Sequence, residues 1–225
     1  MFDKIRRSAS KAVKRVVGDA VEDAAEKETR KQVSKVETQY KEESAKAFKE
    51  MKAKKIPGKL FKDFGKFKGA WEKNADEPEQ SVLFLLIAAY NYCKNPKIGE
   101  PMATLILSNK HNQKSSSSPS GYVLGPTNKE LLKHMAEDIN IAKSYLGANY
   151  EDDYKFNEDK IAMDLLGVQP EDETGKYVKV FIKSGGKDMP TPVGLARNKD
   201  GQWKITEFSS IATGCRKPSS VEDDF

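Results

Sequence analysis

The hydrophobic pattern of the chain predicts a long amphipathic helix at its start. Residues 3–55 contain no proline and one glycine, and apolar residues recur three or four positions apart. Ile56-Pro57-Gly58 ends the helix, because a residue before proline disfavours helical geometry and glycine follows. The stripe breaks at residues 26–32, so it lacks the clean heptads of a long coiled coil. We assign residues 1–56 to this helix, which needs a partner helix, a membrane or the rest of the chain to cover its stripe.

A second, shorter segment at residues 57–77 combines aromatic residues with lysines. The aromatic residues are spaced by three, three and four positions, which places them on one helical face: Phe61, Phe64, Phe67 and Trp71. Each large apolar side chain gains about 1.5–3 kcal/mol when it leaves water. We therefore expect this face to be covered, either by other parts of this chain or by a membrane or a partner protein. A polar linker at residues 74–78 follows.

The remaining pattern predicts an α+β domain over residues 78–218. Residues 82–90 are apolar without interruption, which indicates a helix buried on all sides. Residues 100–108 and the segment opened by Pro126 predict two further helices. Residues 161–168, 177–183, 192–197 and 202–208 have strand patterns, and residues 198–201 form a hairpin signal. About three helices should therefore pack on a three- to four-stranded antiparallel sheet, and residues 219–225 form an acidic tail.

Several motifs of this domain carry a resemblance. They are YLGAN at residues 145–149, Tyr150 and Tyr154, DGQW at residues 200–203, and SSIATGCRKP at residues 209–218. On these motifs, residues of about 80–218 resemble an uncharacterised bacterial family that is known only as a domain of unknown function. The resemblance implies a fold and a bacterial source, and it implies no reaction. The hairpin is also similar to that of cone-shaped nuclear-transport-factor-type folds, which often enclose a ligand pocket.

Charge is distributed unevenly along the chain, whose formal net charge is +5. Residues 1–17 carry a net charge of +5, and residues 52–68 contain seven lysines against Asp63. This asymmetry favours an anionic partner, either a membrane surface or a nucleic acid. We do not favour nucleic acid, because Gly65 and Gly69 suggest close helix packing instead of a stacking platform. The candidate interaction residues of the first helix are Phe2, Lys4, Ile5, Arg6, Arg7 and Lys11, which suit either helix association or an anionic membrane surface.

Localisation signals are few. The basic start lacks the apolar core of a secretory signal peptide. The longest apolar run has nine residues, whereas a membrane-spanning helix needs roughly 20. We expect Cys93 and Cys215 to be buried free thiols, which fits a reducing compartment. The predicted location is the cytoplasm, with peripheral membrane attachment as an option.

Candidate chemistry is sparse, and the sequence predicts no catalytic residue, cofactor site or metal site. It contains no Gly-x-Ser-x-Gly elbow and no phosphate-binding loop. His111 and His134 are expected at the surface, the acidic residues 151–153 in a solvated loop, and Arg216 paired with a carboxylate at the edge of the core.

Two hypotheses for the function remain. The first is a non-enzymatic interaction protein. In it the N-terminal helices self-associate or attach to a membrane or a partner, and the C-terminal domain is the recognition module. The second is a ligand-binding or enzymatic domain with a pocket between helices and sheet.

Overall fold

A computed structural model describes residues 52–222, which form an α+β fold. The strands are β1 (Lys54–Pro57), β2 (Asn112–Lys114), β3 (Tyr122–Leu124), β4 (Ala162–Pro170), β5 (Tyr177–Lys183), β6 (Thr191–Arg197) and β7 (Trp203–Glu207). The helices are α1 (Phe64–Glu72), α2 (Pro78–Lys94), α3 (Pro96–Ile106), α4 (Pro126–Glu137), α5 (Asn140–Ser144), α6 (Ser209–Ala212) and α7 (Ser219–Glu222). Residues 1–51 of the helix predicted over residues 1–56 lie outside the described residues, as do the last three residues of the predicted acidic tail.

The main sheet is antiparallel and has five strands in the order β1-β4-β5-β6-β7. Strands β4 to β7 form a meander, and the predicted hairpin at residues 198–201 connects β6 to β7, where Gly201 has a φ of +80°. The inward side chains of β5 alternate as predicted: Val178, Val180 and Ile182 are buried. The α+β class is confirmed, with one strand more than the sequence predicts.

Helix α2 lies at the centre of the domain. All residues from Ser81 to Tyr92 are buried, so every face of the helix is covered. Strands β4, β5 and β7 pack on one side, and helices α1, α3, α4 and α5 pack on the others. An apolar helix of this kind is stable in water only when other elements enclose it. The prediction of a central buried helix is confirmed.

The additional strand, β1, corrects the predicted end of the N-terminal helix. Residues 54–57 are extended and pair with β4, with Ile56 opposite Met163, and both side chains are buried. Lys54 and Lys55 are exposed at this edge of the sheet, and Pro57 needs no hydrogen-bond partner for a backbone N–H. The local lysine-rich composition resembles the preceding helical pattern. Pairing with a strand more than 100 residues away overrides it.

Helix α3 begins earlier than predicted. Asn95 caps it by accepting a hydrogen bond from the backbone N–H of Lys97 at 3.0 Å, and Pro96 occupies the first turn. Pro101, which the sequence places near the first turn, therefore lies inside the helix. A Cβ atom on Gly99 would lie 2.1 Å from the backbone nitrogen of Tyr92, so glycine is required where α2 and α3 meet.

The serine-rich segment at residues 112–124 contains a short hairpin. Strands β2 and β3 pair with Asn112 opposite Leu124. The Ser120 hydroxyl lies 2.7 Å from the Thr104 hydroxyl and donates to the carbonyl of Tyr122 at 3.0 Å. The polar composition does not predict these strands, because side-chain hydroxyl groups make many of the hydrogen bonds in this segment.

A buried polar contact joins α1, α2 and β7. The indole Nε1 of Trp71 donates to the Ser81 hydroxyl at 3.2 Å, and this hydroxyl donates to the carbonyl of Trp203 at 2.9 Å. Ser81 is fully buried. One hydroxyl thus satisfies an indole N–H and a backbone carbonyl that would otherwise be buried without partners.

Replacing Ser81 by alanine should remove both bonds and leave the Trp71 indole N–H without its partner. We expect a loss of about 1–3 kcal/mol in the free energy of unfolding, measured by urea denaturation. Ser116→Ala, in the exposed part of the serine-rich segment, is the matched control and should stay within about 0.5 kcal/mol of the parent. Equal stability of the two variants would contradict the assignment of this role to Ser81.

Candidate functional site

The aromatic residues predicted for interaction contribute mainly to the core of the domain. Phe67 and Trp71 are 0% and 1% exposed, so an external partner does not reach them. The ring of Phe67 contacts those of Phe61 and Phe84, at centroid distances of 5.9 and 5.3 Å. Phe61 and Phe64 are partly buried and pack against the same core. The surface that covers Phe67 and Trp71 therefore belongs to this chain, which is one of the alternatives that the sequence left open, and their role in interaction stays a prediction.

The other predicted interaction residues lie outside the described residues. They are Phe2, Lys4, Ile5, Arg6, Arg7 and Lys11. The lysines that accompany the aromatic residues are described, and all of them are exposed: Lys52, Lys54, Lys55, Lys59, Lys62, Lys66 and Lys68. The aromatic face turns inward, which leaves a basic surface on the domain. We call these seven residues the lysine surface.

The two cysteines are free and poorly suited to nucleophilic chemistry. Burial raises the pKa of the Cys93 thiol to about 12, and its Sγ donates to the carbonyl of Met135 at 3.3 Å. Burial also raises the pKa of Cys215, whose Sγ lies 3.7 Å from a carboxylate oxygen of Asp138. A thiol reacts as the thiolate, so both residues are held in their unreactive form at neutral pH.

The remaining groups with chemical potential are engaged at the surface. His134 is exposed and lies 3.1 Å from Glu137. In the acidic segment, Asp153 accepts a hydrogen bond from the backbone N–H of Ser220 at 3.0 Å, which lowers the pKa of its carboxyl group. Within residues 52–222, no three His, Cys, Asp or Glu side chains converge as a metal site would require. None of the helices described has the length and apolarity that crossing a bilayer takes.

Two lysines stand apart because they are partly desolvated. Lys204, on β7, donates to the carbonyl of Leu105 at 2.6 Å in the last turn of α3, and its ammonium lies 4.1 Å from the centre of the Trp71 ring. A cation suits this position because the carbonyl groups at a helix C-terminus carry partial negative charge. Burial nevertheless lowers the pKa of Lys204 to about 8, although the charges of Glu72 and Asp200 oppose this shift.

This pKa predicts a pH dependence of stability. Between pH 8 and about 10.5 the unfolded chain binds the Lys204 proton more than the folded chain does, so the free energy of unfolding should rise with pH across this window. The expected gain is about 1–3 kcal/mol. Urea denaturation of the parent and of Lys204→Met at pH 7.5 and 10 measures it, since the variant should lack the gain. Lys199→Met, in the exposed hairpin, controls for the lost charge, and parallel pH profiles for the parent and Lys204→Met would contradict the prediction.

The second desolvated lysine, Lys187, lines a pocket of about 340 Å³ where the β5–β6 connection meets α6. The other residues that line it are Asp188, Met189, Pro190, Thr191, Pro192, Ser210 and Thr213. The Lys187 ammonium donates to the carbonyl of Ser210 at 2.7 Å and to the Thr213 hydroxyl at 2.8 Å. We call this cavity the Lys187 pocket. Pockets that bind small molecules typically begin at about 300 Å³.

A network of buried hydroxyl groups supports the pocket from the core side. The hydroxyl groups of Tyr145 and Thr191 share a hydrogen bond of 2.8 Å, and the Tyr145 ring centre lies 5.6 Å from the Lys187 ammonium. Ser184 donates to Ser144 at 2.8 Å, and both residues are buried. Burial raises the pKa of Tyr145 to about 12, so this phenol stays protonated. The network fixes the position of the pocket wall.

The closing motif of the sequence forms the rim. Arg216 pairs with Asp188 at 2.6 Å and lies over the Tyr150 ring at 4.9 Å. The backbone carbonyl of Arg216 accepts a hydrogen bond from the Tyr154 hydroxyl at 2.7 Å. The predicted pairing of Arg216 is confirmed, although Asp188 is 68% exposed and lies at the surface instead of the edge of the core.

Sequence reasoning missed Lys187. The residue follows Ser184-Gly185-Gly186 in a segment that predicts only a turn, and its partners lie more than 20 positions later. A Cβ atom on Gly185 would lie 2.1 Å from the carbonyl oxygen of Ala148, so this turn passes close to another part of the backbone. The sequence signal for this site is the pair Gly185-Gly186, because adjacent glycines allow the backbone to lie close to other groups.

Comparison with known proteins identifies one family. The family model described as a domain of unknown function, DUF6935, matches residues 30–219. No curated protein and no solved structure matches the chain. The matched region begins about 50 residues before the start that the sequence motifs suggested. It therefore includes β1 and α1, which agrees with their place in the sheet and in the core.

Proposed function

The chain belongs to the family of the domain of unknown function DUF6935, and we propose that it is a non-enzymatic interaction protein. Residues 52–222 act as its recognition domain. The N-terminal region acts in self-association or in attachment to a protein partner or an anionic membrane surface. The predicted cytoplasmic location and bacterial source accompany this proposal.

The observation that carries the proposal is the orientation of residues 52–71. The aromatic side chains of this segment pack into the core, and its lysines remain in solvent. Within the described residues, Lys68 is the member of the lysine surface that forms an ion pair, with Glu72 at 3.8 Å. A basic surface with so little internal neutralisation favours an anionic partner. Residues 1–17, with a net charge of +5, are a second and separate basic stretch of the chain.

The state of the nucleophilic groups favours recognition over catalysis. Catalytic cysteines have lowered pKa values, whereas the pKa values of Cys93 and Cys215 are raised. Lys204 has a lowered pKa, but its ammonium is in contact with a backbone carbonyl and the Trp71 ring. These groups stabilise the fold, which leaves surfaces as the means by which the domain acts.

Attachment is tested on the full chain with four charges removed from its start. The variant Lys4→Gln, Arg6→Gln, Arg7→Gln and Lys11→Gln should reduce recovery with phosphatidylserine vesicles at least tenfold, because each basic residue near an anionic surface contributes about 1 kcal/mol. Vesicle flotation measures recovery, and light scattering of the same samples measures the mass in solution. The control replaces four exposed lysines of the domain, Lys97, Lys110, Lys129 and Lys199, by glutamine.

The outcomes separate the modes of action. Loss of recovery in the first variant alone supports membrane attachment, and a parent mass of two or more chains supports self-association. A parent chain that is monomeric and does not float would contradict both. A variant that lacks the N-terminal region must retain residues 52–72, because β1 and α1 are part of the fold.

The alternative function, binding of a small ligand, is favoured by the Lys187 pocket. The pocket does not lie between the large helices and the sheet, where the sequence-based alternative placed it. That interface is filled by buried apolar side chains such as Leu86, Val180 and Leu195. The Lys187 pocket lies instead at one end of the sheet, beside α6.

A further inference from the structure

We propose that the Lys187 pocket binds the carboxylate group of a small aliphatic ligand, because it combines a cation without an acidic partner with apolar walls. This inference deepens the proposed function, since it rests on residues 52–222 acting as a recognition domain. It names the chemistry that the domain recognises. Its test is independent of the N-terminal region, so either proposal can fail alone.

The charge of Lys187 is not neutralised by a carboxylate. Its hydrogen-bond partners are the carbonyl groups of Ser210 and Ile211 and the hydroxyl of Thr213, all of which are uncharged. Within residues 52–222, no carboxylate forms an ion pair with this ammonium. Desolvation lowers the pKa of Lys187, so burial of the charge is costly and a bound anion would recover part of that cost.

One hydrogen bond of the Lys187 ammonium is long, so a ligand oxygen can replace its acceptor. A lysine ammonium has three N–H groups. Two make short bonds, to Ser210 and Thr213 at 2.7 and 2.8 Å, and the contact with Ile211 is long at 3.4 Å. The short bonds hold the side chain against the C-terminal end of α6, so the ammonium is already positioned before a ligand replaces the long contact with Ile211.

The net charge of the site favours a monoanion. Asp188 also lines the pocket, but its carboxylate is paired with Arg216 at 2.6 Å. The remaining charge is the single positive charge of Lys187. A carboxylate matches this charge, whereas a phosphate dianion would need a second cation or a set of backbone donors.

The walls select for an aliphatic part of the ligand. Met189, Pro190 and Pro192 line the pocket, and Met189 is 45% exposed although it is a large apolar side chain. A flexible methionine adapts to apolar ligands of different shape. Ser210 and Thr213 also line the pocket. Together these groups suit a short alkyl chain that ends in a carboxylate, either in a free acid or at the C-terminus of a peptide.

The test titrates the full chain with pentanoate and with pentanamide, and follows the backbone amide NMR signals of Lys187, Asp188, Met189 and Thr191. We expect pentanoate to bind at least tenfold more tightly than the neutral amide, because a charge-assisted hydrogen bond replaces a neutral one. Inorganic phosphate serves as the dianion probe and should bind more weakly than pentanoate. A second pair of probes represents a peptide C-terminus: acetyl-Ala-Val with a free carboxylate, and the same peptide with a C-terminal amide. Tighter binding of acetyl-Ala-Val with the free carboxylate than of pentanoate would assign a peptide C-terminus as the source of the carboxylate.

Two variant pairs locate the site. Lys187→Met should weaken pentanoate binding at least tenfold, and Lys199→Met should leave it unchanged. Because Lys187 also contacts α6, its loss affects the fold as well, so the exposed Met189 supplies a second pair. Met189→Glu should weaken binding at least fivefold by charge repulsion at the same protein stability, and Met189→Gln should stay within about twofold of the parent.

The proposal is overturned by equal binding of pentanoate and pentanamide, by the absence of pentanoate-dependent amide shifts at residues 187–189 and 191, or by unchanged pentanoate affinity in Met189→Glu. Tighter binding of phosphate than of pentanoate would also overturn it, since the site would then be a phosphate site. Selective binding of pentanoate that is lost in both Lys187→Met and Met189→Glu would establish it.

Discussion

The structure depends on the need to enclose α2. Residues 81–92 of this helix have exposures of 8% or less on every face, so this stretch has to be kept from water. The sheet covers one side only, and four other helices complete the cover. Among them, α1 precedes α2 in the chain, and β1 extends the sheet by pairing with β4. The fold therefore includes β1 and α1, because without the segment of residues 54–72 one side of α2 and one edge of the sheet would lose their cover.

The same constraint explains why the basic and aromatic residues of this segment act separately. Phe67 and Trp71 are needed against α2, and the hydroxyl of Ser81 links Trp71 to the carbonyl of Trp203. The intervening lysines have no role in the core and lie in solvent. The alternation of aromatic residues and lysines, which also suits a membrane-binding segment, thus belongs to a segment with one face in the core and one charged face in solvent. The positive charge remains available to an anionic partner.

The sequence predicts the elements whose pattern is local. The uninterrupted apolar run of α2, the alternation of β5 and the Asn-Lys-Asp-Gly hairpin all place residues correctly, because each follows from a repeat or a turn that neighbouring residues determine. β1 and the Lys187 pocket were missed for the opposite reason. Ile56 is a single buried residue among lysines, and it becomes a strand through pairing with Met163. Lys187 meets Ser210 and Thr213 only after the chain has completed β6, β7 and α6. Both features arise from contacts between residues distant in sequence, which a periodicity does not encode.

Hydrogen exchange of the full chain, followed by mass spectrometry at increasing urea concentration, tests the enclosure of α2 most directly. If residues 54–72 complete this cover, peptides from β1, α1 and α2 should share the same high protection and lose it together, as one cooperative unit. Exchange of residues 54–72 within seconds in the absence of urea, while residues 78–94 stay protected, would contradict the account.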